Sequence, residues 1–155
     1  MHSILWHFLM ALSAMLVFRR VLPPTVGVLA LFLFVLDESH AFPVAWWSNR
    51  NAVVAAAFGF LGVAAHLRWR EDGWRMGLPL SLTAFAASVL SAEIGLCALA
   101  YVLAYEVFGA RGGLWRRAAS LLPASLLACA YVLLYKWAGY GAMHSDIYLD
   151  RKSVV

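Results

Sequence analysis

GLPLSLTAFAASVLSAEIGLCALAYVLAYEVFGA, residues 77–110, is the stretch that decides the fold. A helix that crosses a membrane needs about 20 mostly apolar residues, with a lower end near 17. This run is too long for one simple span. Ser91-Ala92-Glu93 interrupts it, with Gly95 just after. The break predicts a hairpin of two helices; the alternative is one long tilted helix with Glu93 facing inward. With the hairpin, the apolar segments are six: 4–18, 21–36, 52–67, 78–90, 94–108 and 118–138. Several are short, and flanking tryptophans and snorkelling arginines extend them into the interface. The runs are continuous, without the alternation of barrel strands. The expected fold is all-α: a polytopic transmembrane bundle of about six helices over 1–138, followed by a tail over 139–155.

Composition agrees. The 155 residues are 64% hydrophobic and 13% charged, with a mean hydropathy of +0.78. A soluble domain is about half apolar and about a quarter charged. The length suits one helical unit, and the partner this composition requires is the lipid bilayer. The net charge of +4 is not a nucleic-acid signature, because the basic residues cap apolar runs, where membrane topology explains them. Cys97 and Cys129 lie inside apolar runs and read as small buried hydrophobes. Their spacing suits neither a metal site nor a disulfide framework. The first residues, Met1-His2-Ser3-Ile4-Leu5-Trp6-His7, carry neither the basic region nor the cleavage site of a signal peptide.

Charge in the connections sets the expected orientation. The first connection carries Arg19 and Arg20, the third Arg68, Arg70 and Arg75, and the fifth Arg111, Arg116 and Arg117. These are eight of the twelve basic residues. The second and fourth carry Asp37, Glu38 and Glu93, with Arg50 as their only base. Lys and Arg favour the cytoplasmic side. The odd connections are therefore expected in the cytoplasm of a bacterial inner-membrane protein, with both termini extracytoplasmic. Adding or removing one helix would destroy this alternation. All seven tryptophans lie near segment ends, as an amphipathic ring at the membrane–water boundary would. The third segment is rich in small residues, among them Ala55, Ala56, Ala57, Gly59, Gly62, Ala64 and Ala65. Small residues let helices approach closely, so this segment is expected to be surrounded by the others.

Most acids of interest fall on the expected outer side. Asp37, Glu38 and His40 lie in the second connection, Glu93 in the fourth, and His144, Asp146 and Asp150 after the last segment. Such carboxylates suit a divalent cation, with Asp37 the first candidate ligand, or general-base work. A solvated helix end explains Asp37 and Glu38 equally well. Interfacial polarity would explain His40, and a headgroup or helix-cap contact Arg50. Glu93 stands between two apolar segments with no adjacent base, so a specific partner is expected. Glu106 is expected to reach the interface, Lys136 to snorkel outward, and His7 and His66 to be interfacial. No phosphate-binding glycine loop, nucleophile elbow or zinc spacing is present.

The stretch Asp37-Glu38-Ser39-His40-Ala41-Phe42-Pro43-Val44-Ala45-Trp46-Trp47-Ser48-Asn49-Arg50 resembles a loop of bacterial GT-C type glycosyltransferases, the protein O-mannosyltransferase-like membrane proteins. That loop reads H-P-x-H-x-E-x-V-A-W-x-S-x-R, and His40, Val44, Ala45, Trp46, Ser48 and Arg50 fall on it. Ser91-Ala92-Glu93 and the helix through Glu106 resemble the family's S-K-E segment and the helix after it. The resemblance implies a polytopic transferase that takes a sugar from a polyprenyl-phosphate donor at the outer face. It implies Glu38, His40 and Glu93 as catalytic candidates and Arg50 and Trp46 as substrate contacts. The departures are that the loop glutamate aligns with Phe42, the first His-Pro with Asp37-Glu38, and the lysine of S-K-E with Ala92. The family's principal aspartate, in a first outer loop, has no counterpart, and relatives continue beyond Gly139-Tyr140-Gly141. The chain is therefore expected to be a piece of a longer enzyme, inactive alone, with a truncated or foreign tail. The competing expectation is a non-enzymatic membrane protein, a scaffold or transporter subunit.

Overall fold

A computed structural model of the protein describes residues 2–38, 49–110 and 112–139. Among the described residues six α-helices follow one another: α1 (His2–Val21), α2 (Pro24–Leu36), α3 (Arg50–Asp72), α4 (Gly77–Ser91), α5 (Leu96–Ala104) and α6 (Leu114–Trp137). A 3₁₀ turn, Glu93–Gly95, leads into α5, and a π-turn, Tyr105–Gly109, closes it. No strand occurs among the described residues. Three helices, α1, α3 and α6, are long and apolar enough to cross a membrane.

The local sequence explains where the helices stop. Pro23 and Pro24 separate α1 from α2, and Pro24 opens α2 at a position where its missing N–H costs nothing. Arg19 and Arg20 occupy the last turn of α1, where cations meet the negative end of the helix dipole. Gly73 ends α3 in the left-handed region (φ 68°), and its N–H bonds to the Arg68 carbonyl. A side chain would be strained there. At 91–93 the chain leaves α4 through the extended Ala92 and enters the 3₁₀ turn. The residues 77–110 thus form two helices, not one.

Helix α3 is the hub. It carries ten buried residues, among them Ala55, Ala57, Gly59, Gly62, Ala64 and Ala65, and its most extensive packing is against α4 and α1. The glycines work as sockets. A Cβ at Gly62 would lie 2.6 Å from the Phe85 ring of α4, and one at Gly59 would lie 2.9 Å from the Cβ of Ala98 in α5. Phe85 is wholly buried. Across the same seam the Ser88 hydroxyl donates to the Ala55 carbonyl at 2.7 Å. This polar tie inside an apolar interface is the kind that joins helices where water is excluded.

The contacts fix the helix directions. Trp6 meets Phe58 (ring centroids 5.7 Å apart) and Arg20 bonds to Asp72; each pair is 52 residues apart, so α1 and α3 run parallel. Phe85 faces Gly62 and Ser88 faces Ala55, so α4 runs antiparallel to α3. Gly59 faces Ala98 and His66 faces Glu106, so α5 runs parallel to α3. Arg117 reaches Glu106 and Tyr135 reaches Glu93, so α6 returns antiparallel to α5. One end of the bundle therefore gathers Arg19, Arg20, Arg68, Arg70, Arg116 and Arg117. The other gathers the end of α2, the start of α3, the 3₁₀ turn and the end of α6.

The exterior is apolar. Phe8, Val28, Phe32, Leu90, Leu126 and Leu133 are all more than half exposed. This surface is consistent with lipid contact. Cys97 and Cys129 correct the expectation of burial: both lie on the outside. Trp115 and Trp137, at the two ends of α6, are almost fully exposed. At 1.5 Å per residue they stand about 33 Å apart, close to the ~30 Å hydrocarbon core of a bilayer.

Candidate functional site

Two polar regions lie at opposite ends of the bundle. The one at the basic end is the more elaborate. Glu106 sits in the π-turn with 1% of its surface exposed, and His66 of α3 is 2% exposed. Arg70 donates to Glu106 through Nε (2.6 Å) and a terminal nitrogen (2.8 Å), one bond to each carboxylate oxygen. His66 Nε2 lies 3.2 Å from Glu106 Oε1, with its ring edge against Trp69. The π-turn is closed by the Ala110 N–H bonding to the Tyr105 carbonyl at 2.8 Å. Arg117 of α6 donates to the carbonyls of Glu106 (3.3 Å), Val107 (3.2 Å) and Gly112 (3.1 Å). It thereby satisfies carbonyls that the end of a helix leaves without partners.

A second layer covers this core. The Tyr105 hydroxyl donates to Glu71 at 3.0 Å. Arg20 bridges Glu71 (3.1 Å) and Asp72 (2.6 Å). A polar cavity of about 550 Å³ opens beside it, lined by Arg70, Glu71, Tyr105, Gly109 and Arg116. The expectation that Glu106 and His66 sit at the interface is corrected, since both are enclosed between α3 and α5. Their partners are distant in sequence, so no local pattern announces them.

This cluster is built to hold rather than to react. Both oxygens of Glu106 are occupied by Arg70, so the carboxylate is not free to take a proton or bind a cation. A buried charge pair with its hydrogen bonds satisfied ties two helices together. The network joins α1, α3, α5 and α6 at one end.

The acidic end is simpler and more open. Glu93 is exposed, and its Oε1 accepts a hydrogen bond from the Tyr135 hydroxyl of α6. This is the partner the sequence called for. Asp37 caps the C-terminus of α2, Glu38 is exposed beside it, and Arg50 is the half-buried first residue of α3. Helix direction brings Asp37, Glu38, Arg50 and Glu93 to one end. His40 and Trp46 lie outside the described residues, as do His144, Asp146 and Asp150. Among the described residues, no three His, Cys, Asp or Glu side chains gather as a metal cluster. Tyr135 is the member of this end that sequence reasoning missed; its only signal was a hydroxyl near the end of an apolar run.

Comparison of the chain with protein-family models, with curated proteins and with solved structures finds no match.

Proposed function

We propose that the chain is a six-pass integral membrane protein of the bacterial inner membrane, with its basic end in the cytoplasm. Its acidic end forms part of a GT-C-like site for a polyprenyl-phosphate-linked sugar. The observation that supports this reading is the convergence of Asp37, Glu38, Arg50 and Glu93 at the end opposite the arginines. Glu93 differs from the enclosed Glu106 in being held by a single hydroxyl, which leaves a carboxylate oxygen available.

In such a transfer an acceptor hydroxyl attacks the anomeric carbon, and the bond from that carbon to the phosphate oxygen breaks. Polyprenyl phosphate departs with the electron pair, and the acceptor proton passes to a base. Glu93 suits the orienting or proton-accepting role, which the resemblance also implies for Glu38 and His40. Arg50 suits the departing phosphate, because a guanidinium matches phosphate oxygens in a fork. Asp37 and Glu38 are hard oxygen donors that would suit a divalent cation. The resemblance makes Trp46 a candidate sugar contact.

A photoactivatable polyprenyl-phosphate hexose, added to the purified chain in lipid nanodiscs, tests the reading without requiring turnover. Crosslinks should map near 37–50 and 93–95. Arg50→Ala and Glu93→Gln should each lower labelling about tenfold, as loss of a charged hydrogen bond does. Labelling confined to the basic end, or unchanged in both variants, would overturn it. The non-enzymatic reading, a membrane scaffold, is favoured instead by one observation: the most complete polar network lies at the other end and the carboxylate at its core is saturated.

A further inference from the structure

We propose that the groove between α1, α3 and α4 at the basic end is a binding site for one anionic phospholipid, with its phosphate among the arginines and an acyl chain along the groove. The groove holds about 600 Å³. Its apolar part includes Leu16, Leu61 and Leu80, and its mouth carries Arg19, Arg20 and Arg68. Those three leucines are each 39–45% exposed, so the floor is uncovered within the chain. Thr83, the one hydroxyl in the wall, is already bonded to the carbonyls of Pro79 and Leu80 at 3.0 Å. Polar demand is therefore confined to the mouth.

The arginines are not equivalent. Arg20 is spent on Glu71 and Asp72. The Arg68 guanidinium carbon sits over the Trp74 ring, 4.3 Å from its centre, and the side chain comes no closer than 3.9 Å to Asp72. Its other guanidinium edge is left to a ligand. Arg19 is exposed and has no ion pair with a described residue. Trp74 also lines the groove, and a half-buried indole there suits the boundary between headgroup and acyl chain. An occupant needs a negative, oxygen-rich head and a long apolar tail in one molecule. A basic pocket between helices on the cytoplasmic side is where such lipids bind.

The inference rests on the membrane reading but on none of the sugar chemistry, so it survives if the transferase site fails and sidedness labelling tests the membrane reading separately. Native mass spectrometry of the purified protein, released from micelles doped with equal phosphatidylglycerol and phosphatidylcholine, should show one retained phosphatidylglycerol. Arg19→Gln and Arg68→Gln should each reduce retention about fivefold, the effect of one surface cation. Arg116→Gln, the same charge change on another face, should leave it unaltered. Leu61→Trp, which fills the groove and keeps every charge, should also abolish retention. Equal retention of phosphatidylcholine, or equal loss in Arg116→Gln, would overturn the site. So would displacement of the lipid by millimolar inorganic phosphate, or a crosslink through the groove to a second copy of the chain.

Discussion

Glu106 and Arg70 meet through two parallel hydrogen bonds, of 2.6 and 2.8 Å, although 36 residues separate them in the chain. The pair locks the π-turn after α5 to the last turns of α3. With His66 on the same carboxylate, it ties α3 to the end of α5 at the basic end.

Removing the acid should therefore be costly. Glu106→Ala leaves Arg70 enclosed without its counter-charge and His66 without its hydrogen-bond partner, and should cost about 3–5 kcal/mol. Arg70→Lys keeps the charge but loses the fork, and should cost less than Glu106→Ala. Denaturant unfolding of the detergent-solubilised protein measures both. A wild-type midpoint for Glu106→Ala would refute the role given to the pair.

The glycine sockets of α3 should reject even a methyl group. In Gly62→Ala the new Cβ would stand 2.6 Å from Phe85, and overpacking of this kind costs about 1–3 kcal/mol. Phe85→Leu in the same chain should recover part of the loss by removing the ring. Additive losses in the double variant would show that the two residues do not share the seam.

Gly95 is tighter still, because its obstacle is backbone. A Cβ there would lie 2.6 Å from the Ser88 carbonyl carbon and 2.7 Å from its oxygen, neither of which can turn aside. Gly95→Ala should separate α4 from the 3₁₀ turn and lower the thermal midpoint more than Gly62→Ala does. Differential scanning fluorimetry would rank the two.

Sidedness is open to direct measurement. Cys97 and Cys129 lie on the outside of the bundle, so Ala at both should be tolerated. In that background, Glu38→Cys should react with an impermeant maleimide in intact cells, and Gly113→Cys only after the membrane is opened. The reverse pattern would invert the proposed orientation.

Much of the scaffold was legible from residues alone. The Ser91-Ala92-Glu93 break announced two helices because polar residues and a nearby glycine interrupt an apolar run. The small residues of α3 announced its central place, since only they permit approach from several sides. The basic cluster was not legible. His66, Arg70 and Glu106 each look like helix-end residues, and their meeting depends on two helices running parallel at one register. A regular helical reading of 94–108 also misses the π-turn, whose extra residue alters which side chains face α3. At the acidic end the sequence named Glu93 as needing a partner, but nothing local distinguishes Tyr135 from other tyrosines on an apolar helix.

The parallel course of α1 and α3 has a mechanical consequence for any bilayer that holds the chain. If both cross in the same direction, the chain between them must cross back, and α2 has only 13 residues for the return. That is about 20 Å of helix against a hydrocarbon core of about 30 Å. The lipid beside α2 must thin where those 13 residues alone make the crossing. A mismatch of this kind costs a fraction of a kcal/mol for each ångström by which the bilayer must adjust.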